Sequence, residues 1–329
     1  MNEALGVPQY AKGDYMGNDT MHDLVIIGAG PAGLSAAIYA ERALLDTVTL
    51  EHEAVGGQVI LTSEIDNYPG VPHTDGFTLV DAMRRQAEDL GATIVMQDAQ
   101  RIERVDDGFV VRCAEGDHAT KTVIIAGGAT PRHAGFEGEE RFSGHGVSYC
   151  ATCDGMFYRG KLVYVIGGGN SACEEALFLT RFASKVVIVV RKDHLRAQAS
   201  VARQVEENEK IEVRYLTSVV ELKGEQLPTA ITLRNNETGE TYDETYEEGA
   251  FGVFVFVGRV PASVLVGDMD VCDKLGYVVT DENMATAVPG LFAAGDVRGK
   301  PLRQVVTAAS DGAIAATSVS AYLGHPVAS

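Results

Sequence analysis

No apolar run in the 329 residues approaches the ~20 needed to cross a bilayer, so no membrane-spanning helix is expected. Basic residues are scarce: 27 Lys and Arg stand against 46 Asp and Glu, a formal net charge of −19. That balance argues against a nucleic-acid or anionic-membrane binder, which needs a basic footprint. The cysteines number five, an odd count. They make no disulfide framework, and the default location is a reducing cytoplasm. Cys113, Cys173 and Cys272 lie in or beside apolar stretches, as inert packing thiols do. The first twenty residues lack the positive stretch and apolar core of a secretory signal. Polar, Gly-containing and aperiodic, they are expected to form a loose extension, with Met21 as an alternative start.

What is present is a globular composition, 46% hydrophobic and 22% charged, on a chain long enough for two domains. From His22 the pattern sharpens. Asp23–Ile27 reads as a buried strand, followed by Gly28-Ala29-Gly30-Pro31-Ala32-Gly33 and an Ala-rich helix over Leu34–Arg42. Glycines at those positions allow a tight turn and bring a pyrophosphate close to the helix N-terminus, where unpaired N–H groups favour anions. A second strand, Thr47–Leu50, ends at Glu51, 18 residues past Gly33, where a carboxylate can accept from a ribose diol. A glycine triplet alone is weak; strand, glycines, helix, strand and acid in that order point to a bound FAD or NAD. Gly56-Gly57-Gln58 and Asn67-Tyr68-Pro69-Gly70 read, by themselves, as turns. Thr122–Ala126 reads as a strand that closes this unit, and 129–147 as a Gly- and charge-rich linker.

A second unit begins with Cys150-Ala151-Thr152-Cys153-Asp154. Two thiols at this spacing can cycle between dithiol and disulfide, with the acid managing the protons, although half of a zinc site looks the same. No other C-x-x-C exists to complete a metal site. Strand Lys161–Ile166 then leads into Gly167-Gly168-Gly169-Asn170-Ser171-Ala172, a GxGxxA turn, and a helix. Its second strand closes on Arg191-Lys192, with Arg196 following; Arg191 stands 19 residues past Ala172, close to the register in which Glu51 follows Gly33. A carboxylate there would repel a 2′-phosphate and cations would pair with it, so the second turn prefers NADP(H).

Taken together these motifs resemble the bacterial-type, low-molecular-weight thioredoxin reductases, over nearly all of His22–Leu323. The shared signatures are Gly28–Gly33, Gly56-Gly57-Gln58, Cys150-Ala-Thr-Cys153-Asp154, Gly167–Ala172, Gly295-Asp296 and Arg303-Gln304. The resemblance implies an α/β fold of two Rossmann-like dinucleotide-binding domains, three-layered ββα. A discontinuous FAD domain, 21–128 plus 251–329, would receive an inserted NADPH domain, 129–250. Gly28, Gly30, Pro31, Ala32, Gly33 and Glu51 would hold the ADP half of FAD. Gly57, Gln58 and Asn67 would line the path to the isoalloxazine, Gly295 and Asp296 the ribityl or pyrophosphate region, and Arg303, Gln304 and Val305 the pyrimidine edge of the ring. Gly167, Gly169, Asn170, Ser171, Arg191, Lys192 and Arg196 would take NADPH. The family usually shows His-Arg-Arg where this chain has Val190-Arg191-Lys192. Lys is a point cation without the bidentate fork, so weaker 2′-phosphate recognition is expected.

The implied activity passes electrons from NADPH through FAD to the Cys150–Cys153 disulfide and on to thioredoxin or a thioredoxin-like protein, in a cytoplasmic homodimer. Cys153 would approach the flavin and Asp154 would handle the proton. Domain rotation about segments near 129–131 and 248–251 would let the pair meet flavin and partner in turn. Three other readings stand beside it: a same-scaffold reductase fed by another donor, a flavin-dependent dithiol oxidase, and a non-enzymatic FAD-binding redox sensor. Neither a structural metal nor a nucleic-acid partner is expected.

Overall fold

Continuous apolar runs make strands that are covered on both faces, and those runs form the centre of each sheet. The computed structural model describes residues 21–62 and 64–325. The extension expected over 1–20 lies outside them. The chain divides into two compact units, one built from the residues up to Thr130 together with those from Pro261 onward, the other from Pro131–Val260.

The first unit begins with β1 (His22–Ile27), α1 (Pro31–Arg42), β2 (Thr47–Glu51), α2 (Gly76–Asp89) and β3 (Thr93–Met96). The hairpin β4 (Ala99–Val105) and β5 (Gly108–Cys113) leads to β6 (His118–Ile125) and the short crossing strand β7 (Ala129–Pro131). The sheet runs β3-β2-β1-β6-β5-β4. β6 is its branch point. Its first residues pair antiparallel with β5 (Phe109↔Thr120), and its last pair parallel with a strand from the far end of the chain (Leu291↔Val123). Leu24, Val25, Ile26, Val123, Ile124 and Ile125 are wholly buried here. β4 escaped the sequence reading because its exposed charges hide its alternation.

The second unit holds β8 (Val147–Ser148), α3 (Ala151–Asp154), β9 (Leu162–Ile166), α4 (Asn170–Leu179), β10 (Lys185–Val189), α5 (Ala199–Glu206) and β11 (Ile211–Arg214). An antiparallel meander follows, β12 (Thr217–Gly224), β13 (Pro228–Asn235) and β14 (Thr241–Thr245), then β15 (Phe251–Val255) and the return crossing β16 (Arg259–Pro261). The main sheet is parallel throughout, in the order β11-β10-β9-β15-β8. Two expectations need correction. β15, assigned to the first unit by a boundary at 250/251, pairs with β9 in the second (Phe251↔Leu162), and the chain crosses back at Val260/Pro261 instead. The segment read as a linker is packed: Phe136 and Phe142 join the core with Tyr164 and Phe251, and Glu139 is only 2% exposed.

β17 (Leu291–Ala293) and α6 (Val305–Tyr322) complete the first unit. The small residues of α6 let it approach α1 closely: a Cβ on Gly312 would stand 2.0 Å from the Ala32 carbonyl oxygen. Ser35 Oγ donates to the Ala309 carbonyl at 2.6 Å, fixing the register of the two helices. The α1 N-terminus is thereby held against the segment that carries Gly295 and Gln304.

Candidate active site

The first glycine turn is tight because backbone passes backbone. Gly28 has φ +103°, and a Cβ there would lie 2.6 Å from the Ala126 carbonyl oxygen; one on Gly33 would lie 1.8 Å from the Gly28 oxygen. Helix α1 starts at Pro31, and its N-cap Gly30 supplies no side chain to cap it. The first-turn N–H groups therefore keep their donors for an anion. Gly56 N donates to the Ala29 oxygen at 2.9 Å, and a Cβ on Gly57 would sit 3.7 Å from Gly30 Cα, so the Gly56-Gly57-Gln58 turn abuts the glycine turn. Glu51, 7% exposed, spends its carboxylate on the same loop. Oε2 accepts from Ala29 N at 2.8 Å, and Oε1 from His52 N and Glu53 N at 2.9 and 3.1 Å. Each carboxylate oxygen retains acceptor capacity beyond these bonds.

The remaining residues expected around a flavin arrive from far along the chain. Asn67 Nδ2 donates to Gln304 Oε1 at 3.0 Å across 237 residues, and Gln304 caps α6 in a reciprocal box with Thr307. Gly295 (φ +79°) leaves no room for a side chain, since its Cβ would come within 2.9 Å of Ala32 Cβ. Asp296 follows in the half-buried turn Gly295–Val297. Arg303 lays its guanidinium 4.4 Å from the Tyr277 ring centre, and its Nε is buried without a partner among the described residues. Val305 opens α6.

The second glycine turn repeats the first in plan. Gly167 has φ +142°, and a Cβ there would meet the Phe256 oxygen at 2.4 Å. Gly169 is the uncapped N-cap of α4, and the place its Cβ would take is open to 4 Å. The loop after β10 is stitched back onto this turn: Arg196 N donates to the Gly168 oxygen at 2.6 Å, and Gln198 N to Asn170 Oδ1 at 2.7 Å. Ser171 is exposed on the first turn of α4. Arg191, Lys192 and Arg196 are exposed, and none forms an ion pair or side-chain hydrogen bond among the described residues. Asp193, the acid between them, is taken by His194 at 2.6 Å. Val190 is buried, and a Cβ on Gly168 would press on its Cγ1 at 2.8 Å; it is a packing residue beneath the turn.

Cys150 and Cys153 form a disulfide, with Cα atoms 5.3 Å apart. Cys150 is the N-cap of α3, and its Sγ accepts from Cys153 N at 3.2 Å. Asp154 Oδ2 accepts from Ser148 Oγ at 2.5 Å. Burial raises the Asp154 carboxyl above its usual value, and the Ser148 hydrogen bond opposes that rise. Two uncapped glycine turns and a redox-capable disulfide beside a half-buried acid occur on one chain.

The family model for pyridine nucleotide-disulphide oxidoreductases matches residues 22–312. A thioredoxin reductase of Peptoclostridium litorale is 46% identical over 308 residues, covering 93% of this chain and 98% of the relative. That of Bacillus subtilis (strain 168) is 41% identical, covering 94% and 96%. The crystal structure of thioredoxin reductase from Streptococcus pyogenes superposes with a TM-score of 0.87 at 41% identity, covering 93% of this chain and 99% of that one. The chain belongs to the low-molecular-weight thioredoxin reductases of this family.

Against other readings of the C-x-x-C pair, membership in the pyridine nucleotide-disulphide oxidoreductases sets aside the zinc half-site. Several groups near the family's motifs went unread in the sequence. Asp311 on α6 gathers Gly295 N at 3.0 Å, Arg298 Nη1 at 3.1 Å and Lys300 Nζ at 2.7 Å on one carboxylate oxygen. It thereby ties the Gly295-Asp296 turn to the helix that Gln304 caps. Glu139 accepts from Ala134 N, Gly135 N and the Tyr149 hydroxyl at 2.9, 2.6 and 2.9 Å, fixing the residue before Cys150. Met156 and Phe157, just past the disulfide, are 58% and 44% exposed. Cys113, whose thiol is pushed up to about 12 by burial, is inert at neutral pH, as its apolar setting suggested.

Proposed function

We propose that this protein is an NADPH-dependent thioredoxin-disulfide reductase, in which electrons pass from NADPH through FAD and Cys150–Cys153 to thioredoxin or a thioredoxin-like protein. The observation that carries the reading is the pairing, in one unit, of the Cys150–Cys153 disulfide with a glycine turn flanked by three cations that have no ion-pair partner among the described residues. The groups present fit both nucleotides. The N-cap glycines of α1 and α4 supply no side-chain caps, the Cβ direction of Gly169 is open, and the buried Arg303 Nε lacks an acceptor among the described residues.

In this reading Gly28, Gly30, Pro31, Ala32 and Gly33 seat the FAD pyrophosphate, with Glu51 at the ribose. Gly57, Gln58, Asn67, Gly295, Asp296, Arg303, Gln304 and Val305 surround the rest. Gly167, Gly169, Asn170 and Ser171 seat the NADPH pyrophosphate, while Arg191, Lys192 and Arg196 take the 2′-phosphate. Bound flavin supplies the ability to accept a hydride and to hand two electrons to sulfur. Asp154, whose carboxyl burial raises above its usual value against the Ser148 hydrogen bond, would supply a proton to the sulfur released when the disulfide opens and take one back when it closes. The exposed Met156 and Phe157 give a partner protein apolar surface next to the reacting sulfurs. The crossings at Thr130/Pro131 and Val260/Pro261 would absorb a turn of one unit against the other. A cytoplasmic homodimer that binds neither nucleic acid nor membrane completes the proposal; no helix of the described residues is long and apolar enough to cross a membrane.

An anaerobic titration tests it. NADPH should bleach the flavin absorbance within the mixing time, and oxidised thioredoxin should restore it stoichiometrically. Flavin that is bleached only by another donor, or that thioredoxin leaves bleached, would refute the proposal.

A further inference from the structure

Ser148 lies two residues before Cys150 and is 4% exposed. Its Oγ stands 2.5 Å from Asp154 Oδ2, 3.1 Å from the Cys150 backbone N and 3.3 Å from the Cys150 carbonyl oxygen. A hydroxyl has one proton and two acceptor lone pairs, so Ser148 can donate to only one of those oxygens at a time. The Cys150 N–H occupies one lone pair in either case. With Asp154 ionised, the Ser148 proton points at Oδ2. With Asp154 protonated, the carboxyl hydrogen can donate to the second lone pair of Oγ, and the Ser148 proton turns to the Cys150 carbonyl. That carbonyl already accepts from Asp154 N at 3.1 Å and has a second lone pair to offer. Both protonation states of the acid therefore leave this cluster paired, which matters because a buried polar group left unpaired is costly.

We propose that Ser148 is a positioning residue that lets Asp154 hold and release the proton of the Cys150–Cys153 exchange by turning its own hydroxyl between two acceptors. The proposal rests on the reading of that pair as the redox relay. Two electrons from NADPH, arriving by way of flavin, break the S–S bond and leave two sulfur anions. Asp154 gives its proton to one, solvent supplies the other, and solvent then reprotonates Asp154. The reverse exchange, in which the two sulfurs reduce a partner disulfide, returns both protons to the partner's sulfurs.

Few other groups compete for this role. On the turn after α3, Tyr158 has its phenol pushed up to about 12, first by burial and then by the Asp154 charge, so it stays neutral. On α4, which packs against α3, Glu174 is exposed; the charges that act on Glu175 are Arg259 and Glu174, not Asp154. Glu139 and His133 are engaged with Tyr149. Burial and the Ser148 hydrogen bond are the two influences on Asp154 itself.

The test uses the oxidised holoenzyme and the infrared carboxyl stretch that disappears in Asp154→Asn. In Ser148→Ala burial persists while the opposing hydrogen bond is gone, so the titration midpoint of that band should rise by about one pH unit. The pH profile of thioredoxin reduction should move with it. Ser148→Thr keeps the hydroxyl and should return the midpoint to the wild-type value. An unmoved midpoint in Ser148→Ala, or a Ser148→Thr enzyme that behaves like Ser148→Ala, overturns the proposal. A midpoint that moves in an enzyme whose wild type reduces no thioredoxin refutes the relay reading and leaves the coupling of Ser148 to Asp154 standing.

Discussion

The two glycine turns of this chain share a plan and differ in how they treat charge. Both place a positive-φ glycine where a Cβ would strike a neighbouring carbonyl: Gly28 against Ala126, Gly167 against Phe256. Both begin a helix that no side chain caps. Past the second strand the likeness stops. Glu51 is buried, and three backbone N–H groups hold it. Arg191, Lys192 and Arg196 stand in solvent with their donors unspent among the described residues, while the nearby Asp193 is occupied by His194. The acid of the first turn is built into the fold, whereas the cations of the second are presented to solvent. Under the proposed function, the first would seat a retained flavin and the second an exchanging NADPH.

The largest effect expected from breaking the likeness is at the third position of each turn. Gly33→Ala would put a methyl 1.8 Å from the Gly28 carbonyl oxygen, a backbone atom that no side-chain rotation can move aside. A loss of about 3 kcal/mol or more is expected, with release of FAD, measured by thermal unfolding and by flavin retained on gel filtration. The equivalent residue in the second turn is already Ala172, fully buried and accommodated. Ala172→Gly should cost only about 1 kcal/mol, mostly from helix propensity, and should leave FAD in place. Equal losses in the two variants would mean that the turns do not share a plan.

Glu51→Gln probes the difference itself. An amide NH₂ replaces one carboxylate oxygen in a pocket of N–H donors, so a donor faces a donor. About 1–3 kcal/mol of stability should go, because a buried hydrogen bond is lost and one partner is stranded. FAD affinity, read from flavin fluorescence on dilution, should fall about tenfold or more if the side chain also meets a ribose. A stability loss with unchanged FAD affinity would confine Glu51 to holding the loop and remove the ribose contact.

The parts of this plan that could be read from residue order alone are those made by neighbours in sequence. Strand, glycines, helix, strand and acid form one local unit, and their periodicities place them without reference to the rest of the chain. Cys150–Cys153 is legible for the same reason. What brings Asn67 to Gln304, or Asp311 to Gly295, Arg298 and Lys300, is the packing of α6 on α1, which no local pattern announces. Phe251–Val255 shows the limit most plainly. Five apolar residues satisfy either sheet, and only the register with Leu162–Ile166 assigns them to the second. Ser148 carried no signal in the sequence, and the role proposed for it depends on a hydroxyl reaching an acid six residues on.

The smallest expected effect tests the cations. Because Arg191, Lys192 and Arg196 are exposed, each acts through a screened field, and no single one should decide the choice of nucleotide. Arg191→Ala should raise the KM for NADPH about threefold and leave that for NADH unchanged, since only the former carries the 2′-phosphate. Lys192→Arg should lower the NADPH KM by no more than about threefold. It replaces a point charge with a planar fork but adds no net charge, so the gain is limited to bond geometry. Val190 should matter less than either, because it packs beneath Gly168 and its side chain offers the nucleotide no polar atom. Raising the salt should shrink the Arg191 effect and leave the Glu51 effect standing, because one charge works through solvent and the other is sealed from it. If salt weakened both alike, burial would not be what separates the two sites.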